Sequence, residues 1–403
     1  MSRAPLRLVT LALTGECNLR CRYCYQNAKS RAHMPWTVLK AAAGRLLESP
    51  SSERELVFAG GEPLLAFDLV RRAVRHIDQR CQAGGVVKYI LATNGTLLRP
   101  DTIAFLDAHC FQIELSFDGV PPAQSVRGKH SFARIDGALD HLRDEAPETF
   151  WQRLAVAATL DATAIPCLAE SFAFFLDRQI PAISVSPAAG QGARWKPRTL
   201  DRLERELEAV FTAAIRHYED TGEVPLVAFQ KTSGDAPPRG GAVCGAAGSA
   251  SVTIDVDGQA YACPMLAESS RTFASPRLAA IVRPMRMGSV SSRAFWERLA
   301  ALPERARAAG IFHVGRRRHS LHGQCIRCPY VRECKACPVA VLSEPAHDDA
   351  QRIPDYLCAF NWTLLGLRKR FPVQPDAAAL LAGRARRPRL VRELLASTGS
   401  RPR

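Results

Sequence analysis

Three cysteines in the segment Cys17-Asn18-Leu19-Arg20-Cys21-Arg22-Tyr23-Cys24 have the spacing CxxxCxxC. That spacing places three thiolates in one tight loop, one fewer than a cubane iron–sulfur cluster needs. A cluster held there has one iron without a protein ligand, and an open metal position marks catalytic rather than structural sites. Spacing alone leaves zinc open, although three cysteines with a long first gap match paired CxxC knuckles poorly. Tyr23 sets an aromatic ring beside the third cysteine. Further on, Gly60-Gly61-Glu62-Pro63 joins glycines that admit close backbone approach to a carboxylate able to pair with an amine. Taken alone, that tetrapeptide reads equally well as a strand-to-helix turn. Cysteines return at Cys244 and Cys263, then as Cys325, Cys328, Cys334 and Cys337, and finally at Cys358. That set is too large for one cluster, and its two CxxC pairs leave a pair of zinc sites open.

These motifs sit in an alternating pattern. Strand signals over residues 7–13, 55–59, 87–92, 111–117, 153–160 and 182–186 are separated by helical signals over 35–47, 67–81, 100–108, 131–142 and 167–177. Repeated β-then-α units predict an α/β fold with a parallel sheet and right-handed crossovers. The chemistry-bearing turns all follow strand C-termini, where such folds build sites. Two more turns of this kind are Thr93-Asn94-Gly95 and Ser116-Phe117-Asp118-Gly119. An amphipathic helix is expected over 200–220 and a loop over 231–238. A hairpin is expected with strands 252–255 and 259–262 around Val256-Asp257-Gly258. From residue 371 the chain is rich in Pro and Arg, with one short helical stretch at 390–395. Cys81, Cys110 and Cys167 fall on helices or strand edges and read as small core residues. His33, His130 and His322 lie near motifs but receive no role.

The 403 residues suggest two domains, and 47% apolar content permits ordinary cores. No run is apolar for long enough to span a bilayer, and residues 6–13 read as a buried strand rather than a signal peptide. Thirteen cysteines, an odd number in tight clusters, favour metal binding in a reducing cytoplasm over disulfides. The net charge of +15 comes from arginines spread along the chain, which argues against a dedicated nucleic-acid surface.

CxxxCxxC after the first strand together with GGEP after the second resembles the radical S-adenosylmethionine (SAM) superfamily. The resemblance covers roughly residues 6–220 and implies a partial (β/α)6, TIM-like barrel. It implies a [4Fe-4S] cluster on Cys17, Cys21 and Cys24, with SAM on the fourth iron. Gly60, Gly61 and Glu62 then hold the methionine amine, and Tyr23 lies near the adenine. Asn94, Ser116 and Asp118 occupy strand ends where the family contacts SAM, and Arg127 is a candidate for the SAM carboxylate. The later cysteines resemble the SPASM extension, which carries two auxiliary [4Fe-4S] clusters, for three in all. By that resemblance Cys244, Cys263 and Cys337 hold auxiliary cluster I, and Cys325, Cys328, Cys334 and Cys358 hold auxiliary cluster II. The last gap, between Cys334 and Cys337, is two residues where the family usually has three. The expected division is a barrel over 1–225, a cysteine-rich SPASM domain with a β-hairpin over 226–370, and a basic tail over 371–403.

Relatives with this extension mostly modify ribosomally made precursor peptides, forming thioether or carbon–carbon crosslinks. The resemblance thus implies a peptide-modifying maturase supplied by a flavodoxin- or ferredoxin-type electron donor. In the sulfatase-maturing branch an Asp follows the second cysteine of the extension; here that residue is Pro264, which counts against that reaction. The first barrel strand lies near the start of the sequence, so a leader peptide is expected to need a separate binding protein or the enzyme's own basic surface. A radical SAM dehydrogenase or epimerase acting on a small molecule such as a sugar is the alternative, and a non-catalytic zinc protein is a third reading.

Overall fold

The computed structural model describes residues 3–26, 28–81, 86–190, 193–231, 244–268, 276–310, 312, 318–334, 336–344, 351–376 and 380. The expected hairpin falls within these ranges; the short helix at 390–395 and most of the 231–238 loop lie outside them.

Six parallel strands form the core: β1 (Leu8–Ala12), β2 (Arg54–Ala59), β3 (Val87–Thr93), β4 (Gln112–Ser116), β5 (Leu154–Leu160) and β6 (Ile183–Pro187). They lie in sequence order, as right-handed β/α repeats dictate. Helices between them cover one face of the sheet. In the helix Phe67–Asp78, Val70, Ala73, Val74 and Ile77 are buried. That is the i, i+3, i+4, i+7 stripe of a helix lying against a sheet. The helix Pro100–Ala108 opens on Pro100 at its first position, where no amide hydrogen is required. The helix Leu200–Thr221 ends at Gly222 with φ +71°, the left-handed cap that glycine adopts without steric cost. The strand and helix bounds agree with the sequence reading to within a few residues. One helix, Pro147–Arg153, intervenes before β5 without a strong periodic signal.

The expected hairpin is present: β7 (Ser251–Ile254) pairs antiparallel with β8 (Gln259–Tyr261), and β9 (Arg286–Ser289) follows. It does not stand apart from the barrel. β7 runs parallel to β1, with Leu8 opposite Ser251 and Leu11 opposite Ile254. One nine-stranded sheet results, in the order β6-β5-β4-β3-β2-β1-β7-β8-β9. β1 is therefore a central strand with partners on both sides, and four of its five residues are buried.

Residues 371–376 also pack back. Phe371 stacks on Phe229 at 4.8 Å, and the Lys231 amide donates to the Pro375 carbonyl at 2.9 Å. The long helix before them, Asp355–Arg370, carries Cys358. Among the described residues no helix is long and apolar enough to cross a membrane.

Candidate functional site

The Cys17–Cys24 loop leaves the end of β1 and is closed at its base. The Leu13 amide donates to the Ala59 carbonyl at 2.9 Å, and the Met34 amide donates to the Leu13 carbonyl at 2.8 Å. The turn after β2 is its seat. The Gly61 amide donates to the Thr14 carbonyl at 2.7 Å and the Glu62 amide to the Glu16 carbonyl at 2.8 Å. A Cβ at Gly61 would stand 1.9 Å from the Glu16 carbonyl oxygen, and Gly60 holds φ +125°. The close approach that these glycines permit is thus made by the cysteine loop's own backbone.

Glu62 is fully buried. One carboxylate oxygen accepts from the Leu64 amide at 3.1 Å and from Thr93 Oγ1 at 2.7 Å. The other accepts from the Asn94 amide at 2.8 Å. Burial pushes its pKa up to about 7, opposed by those three hydrogen bonds. Asn94 turns toward the loop. Its Nδ2 donates to Asn18 Oδ1 at 2.9 Å and points at Cys17 Sγ at 3.8 Å. Its Oδ1 accepts from the Thr96 amide at 3.0 Å. Glu62 and Asn94 thereby tie the ends of β2 and β3 to the cysteines.

A second network crosses to β4 and β5. Arg127 Nε and Nη2 donate to the two oxygens of Asp118 at 2.9 and 2.8 Å. The Thr159 amide donates to the same carboxylate at 2.8 Å, and the Tyr23 hydroxyl donates to it as well. The Arg127 guanidinium lies 5.4 Å from the Tyr23 ring centre. Burial, then the Asp118 charge, drives the Tyr23 hydroxyl far above its ordinary range. The Cys21 thiol is pushed up to about 11, by burial first; Arg127 opposes this, while Cys24 and Cys17 reinforce it. Ser116 ends β4 half-buried opposite Ala157, outside both networks.

Arg127, the loop residue named from the sequence as a candidate for the SAM carboxylate, is buried and paired with Asp118. One contributor, Asp161, belongs to no motif in the sequence. Arg22 bonds the fully buried Asp161, whose Oδ1 also accepts from the Ala164 amide at 2.9 Å. The available signal was positional: Asp161 follows β5 as Asp118 follows β4.

Four of the later cysteines come together. Cys325, Cys328, Cys334 and Cys358 line one cavity of about 50 Å³, together with Arg318 and Trp362. Cys244, Cys263 and Cys337 pack against the main core instead. The sulfurs have donors aimed at them. The Leu19 amide reaches Cys17 Sγ at 3.4 Å and the Met265 amide reaches Cys263 Sγ at 3.4 Å. Backbone amides of Ala246 and Ala247 serve Cys244, and that of Ala336 serves Cys334. Grouped thiols that receive N–H donors suit iron–sulfur ligation, in which such bonds stabilise thiolate and tune potential. Among the described residues no three His, Cys, Asp or Glu side chains converge on a single-ion position. Of the three cysteines read as core, Cys81 and Cys167 are partly buried against it, but Cys110 is exposed. Cys110 takes φ +54° just past the helix Pro100–Ala108, a capping position that glycine usually fills.

A parallel partial barrel with a cysteine loop after its first strand defines a class. Residues 11–154 match the Radical SAM superfamily. It is 28% identical over 149 residues to a cysteine-type anaerobic sulfatase-maturating enzyme of Clostridium perfringens, a stretch covering 34% of this chain and 40% of that protein. The chain thus matches well under half the length of this curated relative. In fold the likeness runs further. A structure titled native anSMEcpe with bound AdoMet and Kp18Cys peptide superposes with a TM-score of 0.69 at 17% identity, covering 95% of this chain and 100% of that one. Streptococcus suis SuiB bound to precursor peptide SuiA superposes with a TM-score of 0.55 at 14% identity, covering 88% of this chain and 76% of that one.

Proposed function

We propose that this chain is a radical SAM/SPASM maturase that takes hydrogen from a ribosomally made precursor peptide and forms an intrapeptide crosslink, carbon–carbon or thioether. The observation that carries this reading is the placement of Trp195. It packs against the small buried cluster of Tyr23, Ala188 and Ala193, which Cys21 also meets, and its ring stacks on Tyr356 at 4.6 Å in a second buried cluster, which Cys325, Cys334 and Cys358 also meet. One side chain therefore joins the packing beside both cysteine regions. When bound, the cluster and SAM together supply a 5′-deoxyadenosyl radical able to attack an unactivated C–H bond.

In this reading Cys17, Cys21 and Cys24 hold the SAM cluster. Gly60, Gly61 and Glu62 fix the seat of their loop and the edge facing the SAM amine. Asn94 steadies Cys17, and the Arg127–Asp118 pair holds Tyr23 for the adenine side. Asp118 spends its carboxylate on protein donors, and so positions Tyr23 rather than touching SAM directly. Cys244, Cys263 and Cys337 hold one auxiliary cluster, and Cys325, Cys328, Cys334 and Cys358 the other. Forming a crosslink removes one hydrogen atom to the radical and then one electron and one proton, and auxiliary clusters held by these cysteines would supply an acceptor for that electron. A peptide substrate is supported by the shared fold with two chains whose structures hold peptides. Pro264, which opens a short turn after Cys263, offers no carboxylate at the position where the sulfatase-maturing branch has one.

The test is anaerobic turnover of the reduced enzyme with SAM and candidate precursor peptides, read by tandem mass spectrometry. A product lighter by two hydrogen atoms supports a crosslink. Unchanged mass for every peptide, with SAM still cleaved, overturns the peptide reading and points to a small-molecule substrate.

A further inference from the structure

Arg318 is a buried guanidinium that neither cysteine motif includes. It lies just before the two-stranded ribbon His319–Ser320 and Gly323–Gln324, and lines the cavity of Cys325, Cys328, Cys334 and Cys358. Its carbonyl accepts from the Cys325 amide at 2.8 Å, so its backbone is fixed to that group. Its side chain reaches the other way. Nη2 donates at 3.3 Å to the carbonyl of Ala336, which directly precedes Cys337. Burial lowers its pKa from the ordinary arginine value, opposed in part by the sulfurs of Cys325, Cys334, Cys337 and Cys244. Those four come from both cysteine groups. A buried cation is costly unless negative charge lies close by.

We propose that Arg318 is a positioning and potential-setting residue placed between the two auxiliary iron–sulfur sites, where its fixed positive charge offsets the thiolate charge of both. This rests on the reading that both cysteine groups hold clusters. Each cluster with its thiolates is anionic, and reduction adds a further electron to a buried site. A cation between the two sites favours the reduced form of each, so both potentials rise together. An electron released by the substrate then finds an acceptor held at a higher potential by the protein itself.

The experiment is a redox titration, followed by electron paramagnetic resonance, of anaerobically reconstituted wild type, Arg318→Met and Arg318→Lys, with iron and sulfide counted for each. Wild type carrying about 12 irons per chain supports the cluster reading, whereas about 4 overturns it and the Arg318 proposal with it. At full loading, Arg318→Met is expected to shift both auxiliary midpoints to more negative potential and leave the Cys17–Cys24 cluster unmoved. Arg318→Lys is expected to stay near wild type. Unmoved auxiliary midpoints in Arg318→Met, a shift confined to one of them, or equal shifts in the two variants overturns the proposal. If Arg318→Met fails to load, Arg318→Lys decides: normal loading and potentials support the charge role, and failure of both variants overturns it.

Discussion

Arg127 grips Asp118 through two parallel hydrogen bonds, at 2.9 and 2.8 Å, and both side chains are almost wholly shielded from water. The pair spans the loop after β4 and turns the end of that strand toward Tyr23. It places a charge-paired carboxylate where the strand-end pattern alone suggested a ligand contact.

Breaking this pair strands a buried cation. Asp118→Asn is expected to destabilise the fold by about 3–5 kcal/mol, the usual cost of removing one partner of a buried ion pair. Adding Arg127→Met should recover part of that loss. Urea unfolding of the two variants measures both effects, and an Asp118→Asn protein as stable as wild type contradicts the account.

Gly61→Ala drives a methyl group into the Glu16 carbonyl. The loop must move off its seat, at a cost of about 1–3 kcal/mol of overpacking strain. Iron bound by the Cys17–Cys24 loop should fall sharply. Gly44→Ala is the control, because its Cβ meets nothing within 4 Å and it lies inside the helix Trp36–Leu47. That change should stabilise the protein by about 0.5–1 kcal/mol.

Glu62 gives a pH signature. Its folded-state pKa of about 7 lies above the ordinary 4.5, so the folded protein holds this proton more tightly than the unfolded chain. The resulting stability is fully present below about pH 4.5 and is lost as pH rises toward 7, by about 3 kcal/mol on the scale of the shift. Glu62→Gln cannot titrate, so its stability between those pH values should lack this slope. Denaturation midpoints across that range, measured for both proteins, decide it.

Cys17→Ala should abolish SAM cleavage. Cys358→Ala should leave some 5′-deoxyadenosine formation without modified peptide, because the SAM site is untouched while the second cysteine group is incomplete. Chromatography of both products from one reaction separates the two variants. Retained peptide product in Cys358→Ala means that the second group is dispensable for turnover.

The amino-acid sequence by itself determined the order of strands and helices, the three-cysteine loop and the hairpin. Each of these is written in local signals: periodicity, a proline at a helix start, an Asp-Gly turn, a fixed cysteine spacing. Tertiary structure decided what those pieces do to one another. It put β7 beside β1, so the cysteine-rich region continues the barrel sheet. It gave Gly61 to the cysteine loop's backbone and enclosed Glu62 among protein donors. It left Cys110 exposed, because a left-handed helix cap turns that residue outward from the core the sequence suggested. It brought Cys358 on a C-terminal helix to a cavity with Cys325, and set Arg318 beside both cysteine groups. These relations depend on contacts between residues far apart in the chain. Hydrophobic pattern and motif spacing report only which neighbours along the chain share a face, so the partner across the sheet becomes legible once the chain has closed on itself.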